Sequence, residues 1–298
     1  MNYNNSNFKK FLSKPVQHVI KKITDSVHFL SPIKNDSYRR HVNFTIEDYI
    51  TGIIDVLSNY VFWNKYNGFM KGDTLRKKHN EWTKLGVYDH AYKLLLEEHL
   101  KQNGKTEELK YQSIDSTFIS DINGCKETGY SGIYKKGKGK SDKGIKITSV
   151  VTKDGMPTSI EINPANNHDS PLLPKAINKI VIDCNTYRYR NHNRYKQYLL
   201  ADKGYDSKKN HNFLKKKGYN PLIAQNIRGT KNEKLIRNFS DKEIKIYKNR
   251  IKIENYHSWI KKFHKIKYLH ERNIEYYRGL VLLGVSIIIS RRIIKNKR

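Results

Sequence analysis

Apolar positions recur at helical spacing over residues 45–102, mark short strands between 111 and 224, and return to helical spacing from 241. From residue 45, Tyr49, Ile50, Ile53, Ile54 and Leu57 follow offsets of three and four, which predicts a helix with one buried face. Ahead of them Thr45-Ile46-Glu47-Asp48 supplies a capping hydroxyl and first-turn acids. Leu75, His79, Trp82 and Leu85 mark a second helix over 74–85. A third covers 89–100, with Gly86 at the turn between them. Residues 45–102 therefore read as a small all-helical domain, with Trp63 and Trp82 filling its core. Residues 1–44 are polar and basic, with few apolar clusters. Weak order is expected there, apart from a short amphipathic piece at 16–23.

Past a polar linker at 103–106, the period changes. Strands are predicted over 111–117, 145–152 and 157–163, then at 197–201 and 220–224. Helices are predicted from Asp169-Ser170-Pro171, over 207–217 up to Gly218, over 241–265, and from 274 to the end. Asp206-Ser207 reads as the cap of the second of these. Three strands in a meander, followed by helix, strand, helix, strand, helix, predict an α/β domain over 106–298. Its mixed sheet would be flanked by helices. Residues 226–240 read as an exposed loop. The most apolar run, 280–294, is interrupted by Arg291 and Arg292 and is too short to span a bilayer, so it reads as a buried helix.

Charge narrows the partner. The 298 residues hold 58 Lys and Arg against 28 Asp and Glu, for a net charge of +30. AT-rich codon usage explains part of the lysine surplus but not the shortage of acids. A polyanion, nucleic acid before an acidic membrane, is the expected partner. Two cysteines, Cys125 and Cys184, suit a reducing compartment and build neither a disulfide framework nor a zinc site. The N-terminus has no apolar core of a secretory signal.

Three acids stand out against this basic background. Asp115 lies inside an apolar strand, where a carboxylate is costly unless paired or metal-bound. The alternative there is the solvent face of an edge strand. Asp202 follows Tyr198-Leu199-Leu200-Ala201, at the strand exit where ligands gather in open α/β sheets; Gly204 allows a tight turn after it. Glu254 sits in a basic helix with Tyr247, Arg250 and Lys261 at offsets of minus seven, minus four and plus seven, one helical stripe. Taken alone, Glu254 reads as an ordinary salt-bridge partner of Arg250. Two Asp on neighbouring strands and a Glu on a later helix can converge. Such a hard-oxygen cluster suits two Mg²⁺ or Mn²⁺ ions roughly 3.5–4 Å apart.

The stretch Tyr247, Arg250, Glu254, Lys261 resembles the Y-x2-R-x3-E-x6-K signature of DDE transposases from bacterial insertion sequences, of the insertion-sequence-four/five-like group. Ile114-Asp115-Ser116-Thr117, the Gly- and Lys-rich segment before the second strand, Asn167-His168-Asp169-Ser170 and Leu200-Ala201-Asp202-Lys203-Gly204-Tyr205-Asp206 extend the resemblance in order and spacing. So does Trp82 to Tyr88 in the helical domain. The resemblance implies a ribonuclease-H-like fold over 106–298 and a DNA-binding role for 45–102. It implies a catalytic, metal-binding triad of Asp115, Asp202 and Glu254. Tyr247, Arg250 and Lys261 would contact transposon-end DNA. His168 is a candidate behind the metal-bound groups, with a capping role as its alternative. The implied activity is metal-dependent cleavage at transposon ends and strand transfer into target DNA. The implied partners are terminal inverted repeats, target duplex and a second copy of the chain assembled on DNA. The implied location is cytoplasmic and nucleoid-associated, or the nucleus or a virus factory in a non-bacterial host. An inactive or domesticated relative, acting as a nuclease or only binding DNA, is the rival reading. The 52 positions from Asp202 to Glu254 exclude a large β insertion between them.

Overall fold

Thr45 closes the first turn of a helix as its sequence predicts. Its side chain accepts from the Asp48 amide, and the Asp48 carboxylate accepts from the Thr45 amide at 2.8 Å. The computed structural model describes residues 12–31, 44–59, 61–136, 140–182, 197–226 and 238–296. These fall into two compact units. One gathers the described parts of 1–102, 122–126 and 259–298, and the other those of 103–121 and 127–258. The expected division into 45–102 and 106–298 follows chain order. The compact units instead group the C-terminal helix with the N-terminal ones.

The first unit is helical. Its helices are α1 (Lys14–Leu30), α2 (Ile46–Ser58), α3 (Gly72–Lys84), α4 (Val87–Asn103), continuing to the unit boundary, and the C-terminal helix described below. Gly86, with φ of 73°, turns the chain between α3 and α4, a left-handed conformation that favours glycine. Trp63 and Trp82 are buried. The short amphipathic piece expected at 16–23 is longer, as α1, while residues 1–11 and 32–43 of the segment expected to be weakly ordered lie outside the described residues. Val19, Ile20, Ile23 and Val27 are buried along one face of α1. Ser290, 275 positions on, donates to the Pro15 carbonyl and lies 2.9 Å from His18 Nδ1. That apolar face needs a partner distant in sequence, so local pattern shows only its start.

The second unit opens with α5 (Lys105–Leu109), where a plain linker was expected; Gly104, with φ of 81°, makes the turn. Then come β1 (Tyr111–Asp121), β2 (Gly129–Lys136), β3 (Lys140–Val151) and β4 (Pro157–Pro164). The expected meander lacked β2, in which two glycines and two lysines dilute the strand-forming Tyr130, Ile133 and Tyr134. It pairs antiparallel with β3, with a register shift between Tyr130 and Lys135. Next are α6 (Asp169–Asn178), β5 (Gln197–Ala201), α7 (Lys208–Lys216) and β6 (Tyr219–Ile223). Both β4 and β1 pair antiparallel with β3, while β1–β5 and β5–β6 are parallel. This is a mixed, ribonuclease-H-like sheet flanked by helices. Ser207 caps α7 by accepting from the Asn210 amide, and Gly218 ends it with φ of 86°.

Two apolar clusters put helices on both faces of this sheet. Ile114, Leu199 and Ala201 pack with Leu173 and Ile177 of α6 and Leu214 of α7. Leu200 and Leu222 pack with Ile246 and Tyr247 of α8 (Asp241–Tyr247). The helix expected over 241–265 is interrupted. A 3₁₀ turn covers Lys248–Arg250, α9 runs Ile251–Ile260, and α10 is His264–Lys267. Asn249 contributes to the break, since its side chain donates to the Ile246 carbonyl at 2.8 Å and competes with the helical ladder. After the short strand β7 (Tyr268–Leu269), α11 (Ile274–Asn296) buries the run 279–290. Gly284 lets α11 approach Ile266 and Phe263 closely, as an added Cβ would lie 2.6 Å from Ile266 Cδ1. No described helix is long and apolar enough to cross a membrane. Cys125 is buried; Cys184 and most of the expected loop at 226–240 lie outside the described residues.

Candidate active site

The parallel register of β1 and β5 brings two acids together. Ile114 pairs with Ala201, so Asp115 and Asp202 are the next residues on adjacent strands. Ile114 and Ala201 face the α6–α7 core. Alternation turns the two carboxylates to the opposite face, where α8 and α9 pack. Asp115 is not an exposed edge acid: β1 is an interior strand between β3 and β5.

Glu254 reaches this face through Arg250. Arg250 Nη1 lies 2.7 Å from Glu254 Oε1, and Nη2 lies 3.8 Å from Asp115 Oδ2. Burial pushes the Asp115 carboxyl up to about 6. The Ser116 amide, which donates to Asp115 Oδ1 at 2.9 Å, and Arg250 pull it down, while Asp202 and Asp169 push it up. Burial would lower the Arg250 guanidinium, yet Asp115, Tyr247, Asp202 and Glu254 together hold it above its ordinary value. Its Nε is buried without a hydrogen-bond partner among the described residues. Asp115 and Glu254 thus share one guanidinium, whose charge state Asp202 also influences, and burial makes Asp115 hold its proton more strongly than an ordinary carboxyl. That excess of hard oxygen donors fits a divalent cation.

Tyr247 lies at the end of α8, and its hydroxyl donates to the Ala201 carbonyl at 3.1 Å, one residue before Asp202. Its ring packs on Phe239. The expected single stripe from 247 to 261 is therefore broken by the 3₁₀ turn, although the Arg250–Glu254 contact survives. Lys261 follows the end of α9 and belongs to the first unit. Burial, then the charge of Lys267, lower its pKa. His168 is the N-cap of α6, with no side-chain cap hydrogen bond, and is exposed.

Its neighbour Asp169 is the more engaged residue, and sequence reasoning had it only as a helix cap. Asp169 Oδ1 accepts from Lys146 of β3 at 2.9 Å, and Lys146 also donates to the Asn167 carbonyl. A Cβ added at Gly204 would lie 3.3 Å from Asp169 Oδ2, so the turn after Asp202 is seated against it. Tyr205, in that turn, is fully buried. Its hydroxyl lies 2.9 Å from Ser116 Oγ, which lies 2.8 Å from Thr148 Oγ1 of β3. Asn210 holds the Tyr205 carbonyl at 2.8 Å and the Ser170 carbonyl at 3.0 Å. These groups tie the Asp202 turn to β1 beneath Asp115. Gly204-Tyr205 directly after Asp202 was the available signal.

A family model described as the transposase DDE domain matches residues 110–278, more than half of the chain, a span within which Asp115, Asp202 and Glu254 fall. Neither the curated proteins nor the solved structures yield a match.

Proposed function

Because the chain belongs to the transposase DDE domain family, we propose that it cuts DNA at transposon ends and joins the freed 3′ ends to a target duplex. The observation that carries this reading is the register pairing that sets Asp115 beside Asp202, with Glu254 linked to Asp115 through Arg250. Asp115, Asp202 and Glu254 would hold the divalent ions, Mg²⁺ or Mn²⁺. A bound pair of such ions supplies Lewis-acid activation of a water and charge stabilisation at the leaving oxygen.

The chain's own residues do the rest. Asp115 must give up its proton to present both oxygens, so loading the site is coupled to proton release. Arg250, 2.7 Å from Glu254 and 3.8 Å from Asp115, is placed to pair with a phosphate once its carboxylates are neutralised. Tyr247, through the Ala201 carbonyl, braces the strand end that carries Asp202. Its hydroxyl is engaged, which favours this role over the DNA contact expected from the motif. Lys261 and the helical segment 45–102 supply further DNA contacts, and a second copy of the chain joins on DNA. No covalent protein–DNA intermediate is required.

The test uses Asp115→Ala, Asp202→Ala and Glu254→Ala with a transposon-end duplex and Mg²⁺ or Mn²⁺. Each variant is expected to lose cleavage and joining while retaining its fold and DNA binding. Near wild-type cleavage by any one removes that residue from the site. Cleavage by the wild type without joined products would favour a nuclease instead.

A further inference from the structure

Helix α7 presents one face made of lysine. Lys208, Lys209, Lys215 and Lys216 are exposed, and exposed Asn212 lies among them. At 3.6 residues per turn these five positions fall within an arc of about 120°. Asn210 and Leu214, which anchor the helix, are buried outside that arc. No Asp or Glu occurs in the helix. Some lysines on other helices are matched: Lys22 with Glu98 at 3.0 Å, Lys78 with Glu81 at 2.6 Å, Lys93 with Glu97 at 4.0 Å. Among the described residues, none of the four on α7 joins an ion pair. Asp206, just before the helix, is already committed to His211 and to the Asn226 amide, both at 2.9 Å. Four uncompensated charges on a nine-residue helix repel one another, and nothing in the packing of α7 requires them.

Position and length say what they suit. The α7 core contacts lie on the sheet face opposite the one that packs α8, from which Arg250 and Glu254 follow. A rise of 1.5 Å per residue spreads Lys208 to Lys216 over about 12 Å. Successive phosphates of one strand advance about 3.4 Å along a duplex, so three or four fall within that length.

We propose that this face of α7 is a phosphate track for duplex DNA, separate from the grip of Arg250. It rests on the reading of the chain as a DNA transposase and adds where a duplex is held. The test measures binding of a duplex of arbitrary sequence against salt. The wild type is compared with a K208Q/K209Q/K215Q/K216Q variant and with a control, K175Q/K179Q/K242Q/K245Q, that loses equal charge from exposed positions on α6, just after its end, and on α8. The α7 variant should show a log–log slope shallower by about 2–4, at about 0.9 per phosphate. The control should stay within about one unit of wild type, and arginine at the four α7 positions should restore the slope. Melting curves confirm that each variant is folded. A wild-type slope in the α7 variant, or an equal loss in the control, overturns the proposal. A wild type with no salt-dependent binding at all overturns the DNA reading itself.

Discussion

The guanidinium of Arg250 lies 2.7 Å from Oε1 of Glu254, one helical turn on, and this ordinary-looking pair sits at the carboxylates of the site. As an exposed helix pair it would be worth about 0.2–0.5 kcal/mol. Arg250 also faces Asp115, which an ordinary surface pair would not. Arg250→Gln is therefore expected to slow end cleavage more than about tenfold, or about 1.4 kcal/mol of transition-state stabilisation, with little loss in melting temperature. Cleavage rates at saturating Mg²⁺ beside a melting curve decide it. Near-normal rates leave the pair as a helix salt bridge.

Asp115 makes the metal-free protein sensitive to pH. Its folded carboxyl holds a proton to about pH 6, against 3.8 for the ordinary carboxyl. Between those values the folded state binds more protons than the unfolded one, so stability falls as pH rises through that window. The loss should approach roughly 3 kcal/mol above pH 6 as an upper limit. Asp115→Asn should remove this slope, and a divalent ion should offset it in the wild type. Urea unfolding at a series of pH values measures both; equal slopes in wild type and variant would refute the assignment.

Tyr205 joins the Asp202 turn to Ser116, the residue after Asp115. Tyr205→Phe leaves Ser116 still bonded to Thr148 and should cost about 1 kcal/mol of stability. The Mg²⁺ concentration for half-maximal cleavage should rise about tenfold, as when a group that orients metal ligands is lost. A merely structural role would lower the melting temperature and leave the metal titration where it was.

Gly144 is a stability test of the sheet itself. It sits in β3 between Ser120 of β1 and Gly129 of β2, and an added Cβ would fall 2.0 Å from the Ile119 carbonyl oxygen. Gly144→Ala should destabilise by about 1–3 kcal/mol through overpacking. An unchanged urea midpoint would show that the strands can part there at no cost.

Much of this protein follows from local pattern. The Thr45 cap, the turns at Gly86 and Gly218, and strand β5 from Gln197 to Ala201 were legible because each depends on neighbours within a few residues. The offset of four between Arg250 and Glu254 was legible too, but the single helix expected to carry the whole motif is broken by the turn at Lys248–Arg250. What sequence could not decide was Asp115, whose edge-strand reading stood until the pairing of β1 between β3 and β5 made it interior. Nor could it show that α1 continues to Leu30, because its apolar face is covered by residues some 270 positions away. Asp169 and Tyr205 read as a cap and a turn residue, and only strand register and helix placement bring them against the acids. Local propensity depends on chain neighbours, whereas a catalytic cluster depends on which strands lie side by side, and that choice is made by the burial of the whole sheet.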